Sequence, residues 1–437
     1  MLDEAGELHG VARRAVRPTL SGERAEQDPR VWLDATFDAG REALDGGGAV
    51  DAIGLAALGP APILVDRRLE PLTPALLFSL DRRAEPQRRA LGVTHDHALP
   101  KLAWWQEHEP ELVRRAAWAL DATGFLVGHL VGLPVMDTVT MLDWELPGTT
   151  PCVPLPDPVD PLSHAGGLTA TAARRLGVAA GTPVAAGTYD SHADLLAAGV
   201  HRPGDAALVL GSTLIVAAAV REAVECEGLA VGAYPGEGVL VGGWTAAAGA
   251  TLEWCAREVG GLESSVAALQ PGAGGLVALP YLAGERTPVW DPAARGVLLG
   301  VTVQTTATEI SRAFLDAVAL SAKDHVERLR SGGIVPRDWR AGGGGARRPG
   351  WLQATSDAIG APLQVARHAG EAAGAAVLAL RSLGASPLLD DGHVVVPDAG
   401  RSERFDRLYD VYRDLYPALA GAMHALGGLA HTSEEGA

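Results

Sequence analysis

"VAAGTYDSHADLLAAGV", residues 184–200, joins a short apolar run to an Ala/Leu-rich run through a glycine and an aspartate, Asp190. The first run is typical of a buried strand, and the second, which begins with an acid, is typical of a helix. The carboxylate of Asp190 can cap that helix by accepting hydrogen bonds from the N–H groups of the first turn. Alternatively, it lies at the carboxyl end of a strand, where open α/β sheets bind ligands, and acts as a catalytic base. The stretch therefore predicts a strand-to-helix unit and leaves both roles of Asp190 open.

Two further apolar runs carry the same strand signal. Residues 53–65, "IGLAALGPAPILV", and 208–217, "LVLGSTLIVA", are broken only by glycine or turn residues, as expected for strands covered on both faces. Residues 310–329 instead show apolar residues at four-residue spacing, which is the signal of an amphipathic helix: Ile310, Phe314, Val318 and Ala322. Strands that alternate with helices predict an α/β protein with a buried parallel sheet.

Length and charge limit the organisation and the partners. The chain has 437 residues, which is beyond the size at which single cores stop growing, so we expect two domains. Pro203 and Gly204 mark a boundary between residues 1–203 and 204–437. The formal charge of −17 argues against a nucleic-acid partner and against binding to an anionic membrane surface, because both need a basic patch.

The cysteines and the amino terminus indicate the compartment. Cys152, Cys226 and Cys255 are far apart and have no CxxC spacing, so the sequence supports neither a disulfide framework nor a cysteine zinc site. No basic segment followed by an apolar one opens the chain, and the longest apolar run is too short to span a bilayer. We expect a cytoplasmic protein without a membrane partner.

A glycine-rich loop is the clearest candidate for phosphate binding. "AGGGGARRPG", residues 341–350, leads directly into "WLQATSDAIG", which has a helical pattern and ends in a helix-stopping glycine. A glycine loop that opens a helix can present backbone N–H groups to phosphate or let the chain approach a ligand closely. The P-loop pattern GxxxxGK[ST] and the hydrolase pattern GxSxG are both absent from the sequence.

Three segments together resemble the FGGY family of carbohydrate kinases. They are the turn at Asp190, "LPYLAGERTPVWDPAARGVLLGVT" at 279–302, and "GGGGARRPGWLQATSDAIGAPLQV" at 342–365. The middle segment is the most specific, since it looks like the family's second signature almost throughout. The early stretches 26–44, "EQDPRVWLDATFDAGREAL", and 100–112, "PKLAWWQEHEPEL", extend the resemblance over nearly the whole chain. Within the family the chain is most similar to the xylulokinase-like kinases.

The resemblance implies a fold and an activity. It implies two actin-like ATPase domains, of the ribonuclease H-like type, around a central cleft. Residues 1–203 would form the sugar-binding domain and residues 204–437 the nucleotide-binding domain. The activity it implies is ATP-dependent phosphorylation of a sugar hydroxyl with Mg²⁺, for which the sequence assigns no metal ligand. The sugar would be a ketose such as a pentulose, with a polyol or glycerol kinase as an alternative, and a homodimer is left open.

The resemblance assigns the role of base to Asp190. A hydroxyl is a poor nucleophile, and a carboxylate within hydrogen-bond reach can take its proton as the bond to phosphorus forms. The capping role is compatible with this one, because a residue at a helix start can still face a ligand.

The family's nucleotide-binding turns match two segments of the second domain. "LGSTLIV" matches the Gly-Thr turn after the domain's first strand, where backbone and hydroxyl groups can donate to phosphate. The glycine loop corresponds to the loop beside the adenine, where a side chain would block the ring. The residues implied are Gly211, Ser212, Thr213, Gly344, Gly345 and Ala346.

The candidate sugar ligands are less specific. "LLFSLDRRA", residues 76–84, stands where the family has an aromatic followed by D-x-R, which makes Asp81 and Arg83 candidate ligands of sugar hydroxyls. A solvated turn that carries charged side chains would show the same sequence pattern. In place of the Gln-Met-His-Gly stretch of typical xylulokinases, the chain has "ALGPAP" at 57–62. The identity of the sugar therefore does not follow from the resemblance.

The amino terminus departs from the family. The family begins with a strand and a D-x-G-T/S turn whose Asp and hydroxyl serve magnesium and phosphate, whereas this sequence opens with "MLDEAGEL" at 1–8. That opening looks like the family's second strand and a hairpin turn at 3–6. We expect the first strand to be missing, which leaves exposed strand edges in the first domain. Two hypotheses follow: the sequence starts late in an active kinase, or the protein binds sugar or nucleotide and no longer transfers phosphate.

Overall fold

The computed structural model of the chain describes residues 2–3, 7, 9–44, 49–78, 80–93, 97–261, 263–368, 370–385 and 391–434. Most of the hairpin turn predicted at 3–6 lies outside these residues.

The helices are, in chain order, α1 Pro29–Ala43, α2 Glu85–Ala90, α3 Ala98–His108, α4 Pro110–Arg115, α5 Ala122–Val131, α6 Thr138–Asp143, α7 Ala170–Leu176, α8 Asp190–Ala198, α9 Gly249–Trp254, α10 Glu263–Ala268, α11 Ala307–Ser331, α12 Pro349–Ile359, α13 Glu371–Ser382 and α14 Ala399–Glu434. A π-helical turn follows α9 at Cys255–Val259, and 3₁₀ turns lie at Ala273–Gly275 and Gly344–Arg347.

The strands are β1 Thr19–Ser21, β2 Arg24–Gln27, β3 Ala56–Ala57, β4 Ile63–Val65, β5 Ala75–Leu76, β6 Trp118–Leu120, β7 Met136–Asp137, β8 Pro158–Val159, β9 His164–Gly167, β10 Pro183–Ala185, β11 Thr188–Tyr189, β12 Asp205–Leu210, β13 Leu214–Val220, β14 Ala230–Gly232, β15 Val239–Trp244, β16 Val277–Leu279, β17 Val297–Leu299, β18 Asp338–Gly342, β19 Leu363–Ala366 and β20 Asp391–Val395.

The chain divides into two compact units. Unit 1 comprises residues 1–197, 233–235 and 370–390, and unit 2 comprises the remaining segments, 198–232, 236–369 and 391–437. Helix α13 therefore belongs to unit 1, although it follows most of unit 2 in the sequence.

Unit 1 is built from short strands and capped helices. The parallel pair β3 and β11 aligns Ala56 with Thr188, and β1, β2 and β5 form an antiparallel sheet. Helix α1 starts at Pro29, which suits a first helical position, after Asp28 has accepted a hydrogen bond from the Arg30 N–H. It buries Trp32 in one of the apolar clusters of the unit.

Unit 2 is organised around a mixed sheet. Among the described residues, the sheet has seven strands in the order β14-β15-β13-β12-β18-β19-β20. Strands β12, β18 and β19 are parallel, whereas the outer pairs are antiparallel. Helix α11 begins with a capping box, in which Thr306 and Glu309 bond each other's backbone N–H. Every residue from Ser311 to Val326 is buried, so the helix is covered on all sides rather than on one face, and its apolar residues join the core of the sheet.

The predicted α/β class is confirmed. Residues 310–329 are helical within α11, and Phe314, Val318 and Ala322 of the predicted stripe are buried. The run 208–217 forms the end of β12 and the start of β13, with a turn between them. The sheet is parallel only in its middle, because a tight turn after β12 returns the chain antiparallel. In the described part of the chain, no helix has the length and apolar character that crossing a bilayer requires.

Candidate active site

The position of Asp190 is set by the strand-to-helix turn predicted from the sequence. Strand β10 leads to Gly187, whose φ of 78° is in the region that favours glycine. A Cβ at Gly187 would lie 2.5 Å from the Leu55 carbonyl oxygen, so a side chain is excluded there. Strand β11 follows, and Asp190 is the first residue of α8.

Side-chain hydrogen bonds fix the strand immediately before Asp190. The Thr123 hydroxyl donates to the carbonyl oxygen of Thr188 at 2.9 Å, and the Thr188 hydroxyl donates to Oδ1 of Asp137 at 3.3 Å. Thr123 lies in the first turn of α5 and Asp137 caps α6, so two helices hold this backbone. The carboxylate of Asp190 is therefore presented by an anchored element, as positioning of a reactive group requires.

The environment of Asp190 favours a proton-accepting role near neutral pH. Burial raises the pKa of Asp190 from 3.8 to about 6, the Ser191 N–H bond at 2.7 Å opposes that rise, and the charge of Glu371 adds to it. The Asp190 carboxylate accepts from the N–H of the next residue, Ser191, whereas a capping side chain bonds the second or third N–H of the helix. A carboxylate with a pKa just below neutral can accept a proton at physiological pH.

A second acid on the same helix face was not among the predicted residues. Asp194 lies four residues after Asp190, which places it one turn along α8. Its Oδ1 atom is buried and has no hydrogen-bond partner in the part of the chain that the structure describes. Burial raises the pKa of Asp194 to about 8, with further contributions from Glu371 and Asp190. The i, i+4 spacing of acids in "DSHAD" was the sequence signal for this pair.

Glu371 approaches α8 from a distant part of the sequence. A Cβ at Gly374 of α13 would lie 1.9 Å from the carbonyl oxygen of Ala193, so the two helices touch backbone to backbone. Glu371 is the first residue of α13 and raises the pKa of both Asp190 and Asp194. No local pattern could reveal this contact, since it joins segments far apart in the chain.

The predicted sugar ligands form an internal ion pair of unit 1. Asp81 Oδ2 accepts from Nη2 of Arg83 at 2.7 Å and from the Ala25 N–H at 2.8 Å, and its side chain is 0% exposed. Arg83 also donates to Glu26 Oε1 and lies over the Trp104 ring, 5.1 Å from its centroid. Desolvation by itself would lower the pKa of Arg83. The hydrogen bonds to Asp81 and Glu26, together with their charges, outweigh it, so the pKa of Arg83 is raised. The geometry thus gives Asp81 an internal role, and a sugar role for either residue stays a prediction.

The turn at Gly211, Ser212 and Thr213 connects β12 to β13 at one end of the unit 2 sheet. The Ala248 N–H donates to the Ser212 carbonyl at 2.8 Å, and the Gly249 N–H donates to the Gly211 carbonyl at 3.1 Å. The turn therefore rests on the start of α9 while the side chain of Ser212 remains exposed. An exposed hydroxyl on a turn held by its carbonyls is suited to donate to a phosphate.

The structure brings the glycine loop next to this turn. Strands β12 and β18 are parallel neighbours, with Val209 aligned to Gly342, so both segments follow the same edge of the sheet. A Cβ at Gly345 would lie 2.2 Å from the Trp351 ring, whereas Gly344 is exposed and a Cβ there would make only an ordinary contact, with Nη2 of Arg347 at 3.9 Å. Gly345 is thus required by packing, and Gly344 is the position where a ligand can come close to the backbone. Ala346 is buried beside them.

The donor groups of the described residues do not form a metal centre by themselves. Among these residues no group of three or more His, Cys, Asp or Glu side chains could hold a metal ion. The sites comprise an anchored carboxylate in unit 1 and, in unit 2, paired backbone turns at a sheet edge, which are suited to accept a proton and to bind phosphate respectively.

Comparison with known protein families gives a match in the second half of the chain. Residues 206–383 match the model of the C-terminal domain of the FGGY family of carbohydrate kinases. This range contains both glycine turns and the signature at 279–302.

Relatives and solved structures extend the similarity beyond that domain. The chain is 29% identical to the xylulose kinase of Escherichia coli (strain K12), over 97% of each chain. It is 30% identical to the ribulokinase of Shouchella clausii (strain KSM-K16), over 53% of this chain and 48% of that protein. The crystal structure of xylulose kinase from Rhodospirillum rubrum superposes with a TM-score of 0.80 and 27% identity, and covers 93% of each chain. The α/β fold is accordingly that of the two-domain kinases with actin-like ATPase folds.

Proposed function

The chain belongs to the FGGY family of carbohydrate kinases, and from this premise we propose that it transfers the terminal phosphoryl group of ATP to a hydroxyl of a pentulose. The observation that carries the proposal is the half-buried carboxylate of Asp190, held at the start of α8 with a pKa of about 6. A sugar kinase needs such a group to accept the proton of the attacking hydroxyl.

The choice of a pentulose rests on the relatives. Those with substantial identity are kinases of xylulose and ribulose, which are both five-carbon ketoses. A glycerol kinase has a related structure, but at 17% identity it shows a common fold only. A pentulose is therefore favoured over glycerol as the acceptor.

The proposed proton transfer uses Asp190 as general base. At neutral pH its carboxylate is mostly ionised, since the pKa is about 6. It takes the proton of the sugar hydroxyl while the oxygen forms its bond to the terminal phosphorus, and the bond from that phosphorus to ADP breaks. The products are a sugar phosphate, ADP and a proton, which Asp190 releases to solvent.

The proposed nucleotide site is the edge of the unit 2 sheet. The turn at 211–213 would bind phosphate through backbone and hydroxyl donors, and Gly344 would allow the adenine to approach the loop. Mg²⁺ would be carried by the phosphates of ATP, because this ion usually keeps several waters and takes only one or two protein carboxylates. This is consistent with the absence of a preformed three-ligand cluster among the described residues.

A substrate panel tests the proposal. ADP release is measured by a coupled assay with pentuloses, hexuloses, pentitols, glycerol and gluconate, and the phosphorylated product is identified by mass spectrometry. We expect turnover with a pentulose, with one phosphosugar formed per ADP. Turnover with a polyol alone would replace the pentulose by that class. Sugar binding in calorimetry without any turnover would instead support a non-catalytic binding protein.

A further inference from the structure

We propose that Glu285 is a positioning residue for nucleotide binding, which holds the turn at 211–213 in place through the backbone that follows β15. The proposal rests on the proposed function, because it assumes that this turn receives the phosphates of ATP. Glu285 itself would touch neither substrate.

Glu285 is a carboxyl group placed inside unit 2. Only 2% of the residue is exposed. Its Oε1 atom accepts two backbone hydrogen bonds, from the Ala246 N–H at 2.6 Å and from the Arg286 N–H at 2.8 Å. Its Oε2 atom is buried, and no described residue bonds it. Burying a carboxyl group is costly, so its presence here calls for a role that an apolar residue could not fill.

The residues around Glu285 bind the same short backbone segment. The Arg286 guanidinium donates to the carbonyl oxygen of Thr245 at 2.8 Å. The Thr287 hydroxyl donates to the carbonyl oxygen of Trp244 at 2.8 Å. Glu285, Arg286 and Thr287, three successive residues of the signature segment, therefore each hydrogen-bond one residue of 244–246.

Residues 244–248 also support the turn at 211–213 through hydrogen bonds. The Leu214 N–H donates to the Thr245 hydroxyl at 3.0 Å, and the Thr245 N–H donates to the Leu214 carbonyl at 2.9 Å. A short distance on, the Ala248 N–H donates to the carbonyl of Ser212. Residues 244–248 thus bond Ser212 within the turn and Leu214 directly after it, and Glu285 fixes the middle of this support at Ala246.

The acceptor oxygen of Glu285, rather than its charge, performs this role. Burial raises the pKa of Glu285 to about 8, while its two N–H donors and the Arg286 charge oppose the rise. The group is mostly protonated at neutral pH, so it presents one acceptor and one O–H. A glutamine presents one acceptor and one NH₂ group in nearly the same shape. E285Q should therefore reproduce the support, and E285A should remove it.

The test compares E285Q and E285A with wild type in the full chain. The control variant is D291A, from the same segment, since Asp291 accepts from Tyr416 and His424 and not from residues 244–248. For each protein we would measure the KM for ATP, the KM for the sugar, and hydrogen–deuterium exchange of the amides at 211–214 without ligand. Thermal unfolding would check that each variant is folded.

We expect E285A to raise the KM for ATP by roughly tenfold, the size of one lost buried hydrogen-bond acceptor, with the sugar KM unchanged. Exchange at 211–214 should be faster in E285A, and E285Q and D291A should resemble wild type in both measurements. Unchanged exchange in E285A, or faster exchange with an unchanged KM for ATP, would overturn the proposal.

A second variant, T245V, distinguishes a positioning effect of Glu285 from a general loss of stability. T245V removes the hydroxyl that accepts from Leu214 while keeping the side-chain shape. Because Glu285 holds the backbone at Ala246, directly after Thr245, T245V should raise the KM for ATP less in the E285A background than alone. Strictly multiplicative effects would overturn the proposal. A wild-type chain that binds no ATP at all would mark failure of the proposed function itself, and the positioning role would fall with it.

Discussion

Replacement of Asp190 by asparagine should lower activity and raise stability at the same time. The capping role and the catalytic role of Asp190 predict different effects of D190N on stability, because asparagine caps a helix about as well as aspartate does. If Asp190 is only a cap, D190N should leave stability unchanged. If it is a base in a desolvated, half-buried site, ionisation of the carboxylate lowers the stability of the wild-type protein, and asparagine removes that cost.

The size of the gain follows from the pKa of Asp190, which is about 6 in the folded chain against an ordinary value of 3.8. A shift of this size corresponds to about 3 kcal/mol of lost stability when the group is ionised in both states. The sign is set by the raised pKa: the folded state holds the proton more tightly, so stability falls as pH rises from about 4 to about 6 and stays low above it. D190N should therefore gain up to about 3 kcal/mol at pH 7 to 8 and nothing below pH 4.

The assay is scanning fluorimetry of wild type and D190N at pH 4, 5, 6 and 8. For units of this size, 1 kcal/mol changes the unfolding temperature by about 2–4 °C, so the difference at pH 8 should reach several degrees. The matched control is D28N, because Asp28 caps α1 in the same unit and is exposed. The D28N variant should show no pH-dependent gain. Turnover of D190N should fall by about two to four orders of magnitude. Equal stability at all pH values would refute the role of Asp190 as a base in a desolvated site.

Three further predictions concern pH, the internal ion pair and the glycine loop. The kcat/KM of wild type should fall about tenfold per pH unit below pH 6 as Asp190 is protonated, and a profile flat down to pH 5 would contradict this. R83A should lower the free energy of unfolding in urea by about 3–5 kcal/mol, because it leaves the buried carboxylate of Asp81 without its cation. A decrease below about 1 kcal/mol would show that the pair is not buried in solution. G345A should lose about 1–3 kcal/mol of stability, since its Cβ would meet a tryptophan ring, whereas G344A should keep wild-type stability and raise the KM for ATP. Equal stabilities of the two glycine variants would contradict the packing described here.

Features encoded in local patterns were predictable from the sequence. The helix at 310–329 follows from apolar residues at four-residue spacing, and the strand before Asp190 follows from a short apolar run that ends at a glycine. These patterns also placed Asp190 at the start of a helix, where the structure has it. The side-by-side position of the turns at 211–213 and 343–346 required the pairing of β12 with β18, which sequence patterns alone do not give.

Features that depend on distant contacts were not predictable. Asp81 and Arg83 look like a charged turn in the sequence. In the structure Asp81 accepts from the Ala25 N–H and Arg83 donates to Glu26, more than fifty positions earlier, and together they form a buried network. The raised pKa of Asp194 depends on Glu371, which reaches α8 only because Gly374 allows a close helix contact. Burial and pairing of a charge are properties of the packed molecule, and a single sequence does not show them.

The most direct test of the central claim is ADP release by the wild-type chain and by D190N, measured side by side with a saturating pentulose and ATP at pH 7.5. We expect pentulose-dependent turnover in the wild type and a loss of about a hundredfold or more in D190N, with ATP binding retained. Equal turnover in the two proteins would contradict the role of Asp190 as base, and the absence of pentulose-dependent turnover in the wild type would contradict the proposed function.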